Sequence, residues 1–381
     1  MGIIIAVMSG LVAAGAIAKN KAPQLALSLQ PINGFAAENL ASTPVKMTIA
    51  QNDGQFPIRV DSNAIKLAEQ AFLSEPVTPE AIAVLALGSA ENKRHRLMYN
   101  ALSLSRRQPL ITGWMIADSG ARADIPTMLT HYDTVVRTSS SAATVVIPTM
   151  ANALANDDFV EPFASLLTKQ PPWAEYFWAT VVGMPGSLGN AARLRERLHK
   201  SNESDEAYRD ADLIQALISN QQFDKSADLY HLLVGPKKSR NLVENSSFST
   251  ESVYPPFDWQ LFSTGEYGAV IVDGKLELSA IRNSGGLFAR QLIKMPRRVL
   301  TMKVSPERRI PSNAQIFVTL SCAQSVNGAP QSTRIPLKTR IDSLQIDNSR
   351  PGCSFYWLDI TGRASENGVG FDIALDSISL R

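Results

Sequence analysis

Four histidines and two cysteines are the side chains of this 381-residue chain best suited to metal or nucleophilic chemistry, and their spacing assembles none. His95, His131, His199 and His231 stand far apart, and no H-E-x-x-H motif joins them. Cys322 and Cys353 belong to no C-x-x-C pair and have no histidine nearby, which argues against zinc. A G-x-S-x-G elbow and a phosphate-binding G-x-x-x-x-G-K-[ST] loop are also missing. His131-Tyr132-Asp133 does not form an acid/base pair on a helix, because adjacent helical residues do not share a face; a surface or capping role is expected. Asp157-Asp158 and Glu203, Asp205 and Glu206 open predicted helices, where the helix dipole accounts for them. The expectation is a non-enzymatic protein with no cofactor and no metal.

Composition sets the frame for these residues. A chain this long implies two or three domains. Its net charge of +2 does not call for nucleic acid. Residues 1–236 carry a balance of −3 and residues 237–381 a balance of +5, which places a domain boundary near 236. At the start, Ile3 to Ala18 is a 16-residue apolar run followed by Lys19 and Lys21. It is short for a bilayer span of roughly 20 residues, and Ala16-Ile17-Ala18 has the small-x-small form of a cleavage site. Residues 1–21 therefore read as a signal or membrane-anchor segment, and the chain as a protein of the periplasm or cell envelope.

Residues 22–235 read as about eleven short amphipathic helices joined by short turns. Asp61 or Ser62, then Thr78 before Pro79, then Pro109 mark helix starts. Of Trp173, Tyr176, Phe177 and Trp178, which could line a groove, at least two must face inward by their spacing and core packing is expected, while Arg193, Arg195, Arg197 and Lys200 are expected to form a solvated basic face. The stretch HRLMYNALSLSRRQPLITGWMIADSGARAD resembles a divergent tetratricopeptide unit, through Ala101, Leu102, Pro109, Trp114, Ala117 and Gly120. The cadence Ala26 to Asn33 is similar. That resemblance implies an α-solenoid whose groove holds a protein partner.

A linker at 236–240 leads into residues 241–381, where the period becomes alternating. Ten strand-like runs, punctuated by Asp273-Gly274, Asn327-Gly328 and Pro351-Gly352, predict an antiparallel β-sandwich, a jelly roll. NLVENSSF from Asn241 to Phe248 is the first of these runs. This opening, with the nearby Phe257-Asp258-Trp259, and the closing ALDSISL from Ala374 to Leu380 resemble galactose-binding-like jelly rolls and related carbohydrate-binding modules. In that family the first and last strands pair. The resemblance implies aromatic rings stacked on sugar faces, with Trp357, Tyr356, Tyr267 and Phe288 as candidates and Trp259 as a core residue. Tyr356 and Trp357 are adjacent on a strand, so one faces inward and the other outward. Asp376 and Glu244 alone do not make a calcium loop. Cys322 and Cys353 fall in neighbouring strand regions, 31 positions apart. A disulfide there suits an exported protein and would contribute about 3–4 kcal/mol; the alternative is two buried thiols.

Helical repeats joined to such a sandwich, behind an export segment, resemble accessory proteins of bacterial polysaccharide synthesis and export. Two functions follow. One is an envelope scaffold whose solenoid grips a protein and whose sandwich binds polysaccharide. The other is a protein–protein adaptor whose sandwich binds no sugar.

Overall fold

The computed structural model describes residues 13–51, 56, 59–199, 209–235, 240–324, 332–348, 353–366 and 368–381. Residues 1–177 form one compact unit and residues 178–381 another. The first is helical. Its elements are α1 (residues 13–21), α2 (Pro23–Leu29), α3 (Gly34–Gln51), α4 (Ser62–Ser74), α5 (Pro79–Leu87) and α6 (Glu91–Leu104). They continue with α7 (Pro109–Ala121), α8 (Ile125–Thr138), α9 (Ser140–Ala153), α10 (Val160–Leu167) and α11 (Ala174–Val181), in which the division falls. Most of the 16-residue apolar run lies outside the described residues. Among the described residues, no helix is long and apolar enough to cross a membrane.

From α2 to α9 successive helices pack on their neighbours, and α3 on α5, α5 on α7 and α8 on α10 pack across one. Small side chains permit this: Ala37, Ala41, Ala64, Ala68, Ala71, Ala81, Ala83 and Ala86 are buried together, so helix backbones approach closely. Asp61 caps α4 through the Asn63 N–H, Asp124 caps α8 through Thr127, and Ser139 caps α9 through Ala142. The start of α5 is capped from a distance. Thr78 turns its hydroxyl to the Glu75 carbonyl, and Glu38 Oε1 accepts the N–H groups of Glu80 (2.7 Å) and Ala81 (3.3 Å) instead. The aromatic cluster packs as its spacing requires: Trp173 and Phe177 are buried, Phe163 stacks on Phe177 at 5.1 Å, and Tyr176 is exposed. His131 departs from the surface role expected of it. It is buried on α8, and burial holds its imidazole below the usual histidine range.

The second unit joins three helices to the sandwich: α12 (Leu188–His199), α13 (Asp210–Ser219) and α14 (Phe223–Val234). Trp178, its first residue, is buried. The basic residues of α12 do not share one solvated face as expected. Arg193 and Arg197 are exposed, but Arg195 is fully buried because Asp210 neutralises it through two hydrogen bonds, at 2.8 and 3.1 Å. Lys200 lies outside the described residues.

The strands are β1 (Gln260–Leu261), β2 (Tyr267–Val272), β3 (Lys275–Ala280), β4 (Gly285–Lys294) and β5 (Val299–Pro306). The others are β6 (Ala314–Cys322), β7 (Ser332–Leu337), β8 (Ile341–Asp347), β9 (Phe355–Ala364) and β10 (Phe371–Leu380). They make two five-stranded antiparallel sheets, β1-β4-β9-β6-β7 and β2-β3-β10-β5-β8, around one apolar core. Trp259 sits in that core, with its indole N–H on the Asn245 carbonyl at 3.3 Å. The opening run Asn241–Phe248 is not the regular strand expected: turns and bends replace it. It still touches the last strand, since Leu242 N–H donates to the Leu380 carbonyl and Ile378 N–H to the Ser246 carbonyl. The cause is local: Asn245 and Phe248 have positive φ, outside the extended geometry of a regular strand. Cys322 and Cys353 form a disulfide beside the β6–β9 pairing. Such bonds form and persist in oxidising compartments.

Helices α13 and α14 rest on the sandwich. Phe223 stacks on Phe355 at 5.4 Å, and Lys294 pairs with Asp224 at 2.7 Å. Tyr230 stacks on Phe257 at 5.0 Å, and its hydroxyl donates to Asp258. Composition changes near residue 236, whereas packing carries the last three helices along with the strands.

Candidate functional site

In the sheet β1-β4-β9-β6-β7, side chains alternate between the core and the outer face. On β9, Tyr356, Leu358 and Ile360 point into the core, so Phe355, Trp357, Asp359, Thr361 and Arg363 face outward. Strand pairing extends this face sideways. Arg290, Asp359, Thr319 and Arg334 stand opposite one another in a single row across β4, β9, β6 and β7. The adjacent row is Leu292, Trp357, Ser321 and Ser332. Phe223 of α14 covers the end of the face at Phe355, and Leu292 and Asp359 are buried too; Arg290, Trp357, Thr319 and Ser321 are half-buried, and Arg334 and Ser332 are exposed.

Two arginine–aromatic stacks fix the rows. The Arg290 guanidinium lies 4.7 Å from the Trp357 ring centroid, and that of Arg334 lies 3.6 Å from Phe317. Arg290 is also locked by Asp359 through paired hydrogen bonds, Nε to Oδ1 at 2.7 Å and Nη2 to Oδ2 at 2.9 Å. Trp357 is half-buried. The result is a fixed ring set beside fixed donors, a neutralised carboxylate and the hydroxyls of Thr319 and Ser321. Such a surface suits a polyol, which offers apolar ring faces and many hydroxyls.

The other candidate rings lie elsewhere. Phe288 is 0% exposed and Tyr356 6%, both in the inter-sheet core, so neither can stack a sugar. The Tyr356 hydroxyl is spent on Asn348 Oδ1 at 2.7 Å, and burial raises its phenol above the usual range. Tyr267 is half-buried at the end of β2, edge-on to Phe288 at 5.2 Å. It lines a groove of about 1250 Å³ on the second sheet, which Glu277, Arg282, Arg308 and Asp372 also line. Among the four, Trp357 alone lies on the outer face of its sheet.

No protein-family model matches this chain, and no curated protein matches it. A solved structure, TmCBM61 in complex with β-1,4-galactotriose, is similar to it at 15% identity. The match covers 38% of this chain and 99% of that one, with a TM-score of 0.25.

Arg290, Asp359, Thr319, Arg334 and Phe317 were not singled out from sequence. Their strands are legible, but the phase of β4 is not. A β-bulge between Leu287 and Ala289 sends both Phe288 and Ala289 inward, and this resets the alternation that points Arg290 outward. Asp359 sits among apolar residues, and only its pairing with Arg290 explains it there.

Proposed function

We propose that this is a non-enzymatic envelope protein whose β-sandwich binds a glycan on the outer face of the β1-β4-β9-β6-β7 sheet. The observation that carries the reading is Trp357, a half-buried ring beside Arg290, Asp359, Thr319 and Ser321. The disulfide supports an exported setting. On this reading the helical unit, with its tetratricopeptide-like stretch at His95 to Asp124, holds a protein of the polysaccharide assembly or export machinery.

The test uses the full chain, because α13 and α14 pack on the sandwich. Wild type and Trp357→Ala are titrated with a panel of bacterial exopolysaccharides and followed by tryptophan fluorescence. Saturable quenching in wild type that is lost in Trp357→Ala, with the circular dichroism unchanged, is the expected result. Absence of binding across the panel would favour the protein–protein adaptor.

A further inference from the structure

The two sheets of the sandwich carry opposite charge. Strands β1, β4, β9, β6 and β7 hold four cationic residues, Arg290, Lys294, Arg334 and Arg363, against one acid, Asp359. Strands β2, β3, β10, β5 and β8 hold two, Lys275 and Lys303, against five acids, Glu277, Asp342, Asp347, Asp372 and Asp376. Since the core between the sheets is apolar, these charges lie on the two outer faces. The overall balance of the sandwich hides this division.

Within the basic face the charges are not equivalent. Asp359 neutralises Arg290, and Asp224 on α14 pairs with Lys294. Arg334 is exposed, lies over Phe317 and has no acidic partner among the described residues. Arg363, also exposed, donates to the neutral Asn283 side chain at 2.8 Å. Two guanidiniums without a carboxylate partner therefore stand on this face: Arg334 in the row next to that of Trp357, and Arg363 six residues, about 20 Å, along β9 from it. Strand spacing of about 4.8 Å puts the backbones of Arg290 and Arg334 about 14 Å apart, at the two ends of one row. Guanidinium is the group that binds carboxylate with paired, directional hydrogen bonds.

We infer that the ligand of this face is an acidic polysaccharide, one that carries carboxylates along its chain, with Arg334 and Arg363 as its anion-reading residues and Trp357 as its ring platform. This rests on the glycan-binding reading above and adds the chemical class. The strands of the opposite sheet carry more acids than bases, which disfavours the same polymer on that face.

The experiment compares alginate and polygalacturonate with their carboxyl-reduced neutral forms, using the full chain and calorimetric titration at several salt concentrations. The acidic forms are expected to bind at least about tenfold tighter, since a hydrogen bond to a charged group is worth that factor or more. Arg334→Gln should weaken the acidic forms by about tenfold and the neutral forms by less than about twofold. Added salt should weaken the acidic forms only. Equal affinity for acidic and reduced polymers, abolished by Trp357→Ala, would overturn the inference and leave the glycan reading standing. Failure of both forms to bind would remove that reading and the inference with it. Binding of polyglutamate as tight as that of the acidic polysaccharides would show a general polyanion surface and also overturn it.

Discussion

Tyr230→Phe removes one hydroxyl from the seam between α14 and the sandwich and leaves the ring on Phe257. That hydroxyl donates to Asp258 Oδ1 at 2.9 Å, while Asp258 Oδ2 accepts the N–H groups of Val253 (2.9 Å) and Tyr254 (2.7 Å). A hydrogen bond to a charged group contributes about 1.5–3 kcal/mol. Asp258 keeps its two backbone donors in the variant, so the cost falls at the low end, about 1.5 kcal/mol, or roughly tenfold in the opening equilibrium. Hydrogen exchange of residues 223–234 in the full chain reads that opening locally. Protection there should fall about tenfold, with a smaller change in β10. A change of less than about twofold would refute the argument that this contact holds α14 down.

The same variant has an alkaline signature. Burial first, and then the neighbouring Asp258 charge, hold the Tyr230 phenol well above its usual range. Its folded pKa exceeds the unfolded value near 10, so its contribution is complete below that pH and is lost as pH rises above it. Wild type should therefore weaken above about pH 10 more steeply than Tyr230→Phe.

Two further outcomes are expected. Replacing Cys322 and Cys353 together by serine should cost about 3–4 kcal/mol in equilibrium denaturation, as a 31-residue separation implies, and a loss below about 1 kcal/mol would contradict it. His131, lowered by burial against the opposing pull of Asp124 and Asp118, contributes stability that is full above the unfolded pKa of about 6.5 and is lost as pH falls from there through the folded value. Glu38 is raised, chiefly by burial, and so adds stability as pH falls through its folded pKa. The measurement is therefore the difference in melting between wild type and His131→Gln from pH 7 to 5, which should grow in favour of the variant; a constant difference would count against the buried-imidazole account.

The strands could be read from sequence because alternation and turn residues mark them: Asp273-Gly274 closes the β2–β3 hairpin where its dipeptide predicts. The cysteine pairing was legible for a related reason, as both residues bracket strands that prove adjacent. What escaped was long-range. Arg195 looks like a surface residue until Asp210, 15 positions on, is found beside it in the interior. The role of Asp258 as a clamp for α14 depends on Tyr230, which precedes it by 28 positions. Of the candidate rings, the adjacency of Tyr356 and Trp357 correctly required opposite faces, but which was outward depended on the strand register. Phe288 was misplaced because a bulge, invisible in composition, turns it into the core.

Whether glycan lies on Trp357 is tested most directly by hydroxyl-radical footprinting of the full chain with and without a bound acidic polysaccharide. The account predicts that oxidation of Trp357 falls on binding, while Tyr267, in the groove of the opposite sheet, is oxidised as before. Protection of Tyr267 with Trp357 unchanged would place the glycan on the wrong sheet and contradict the account.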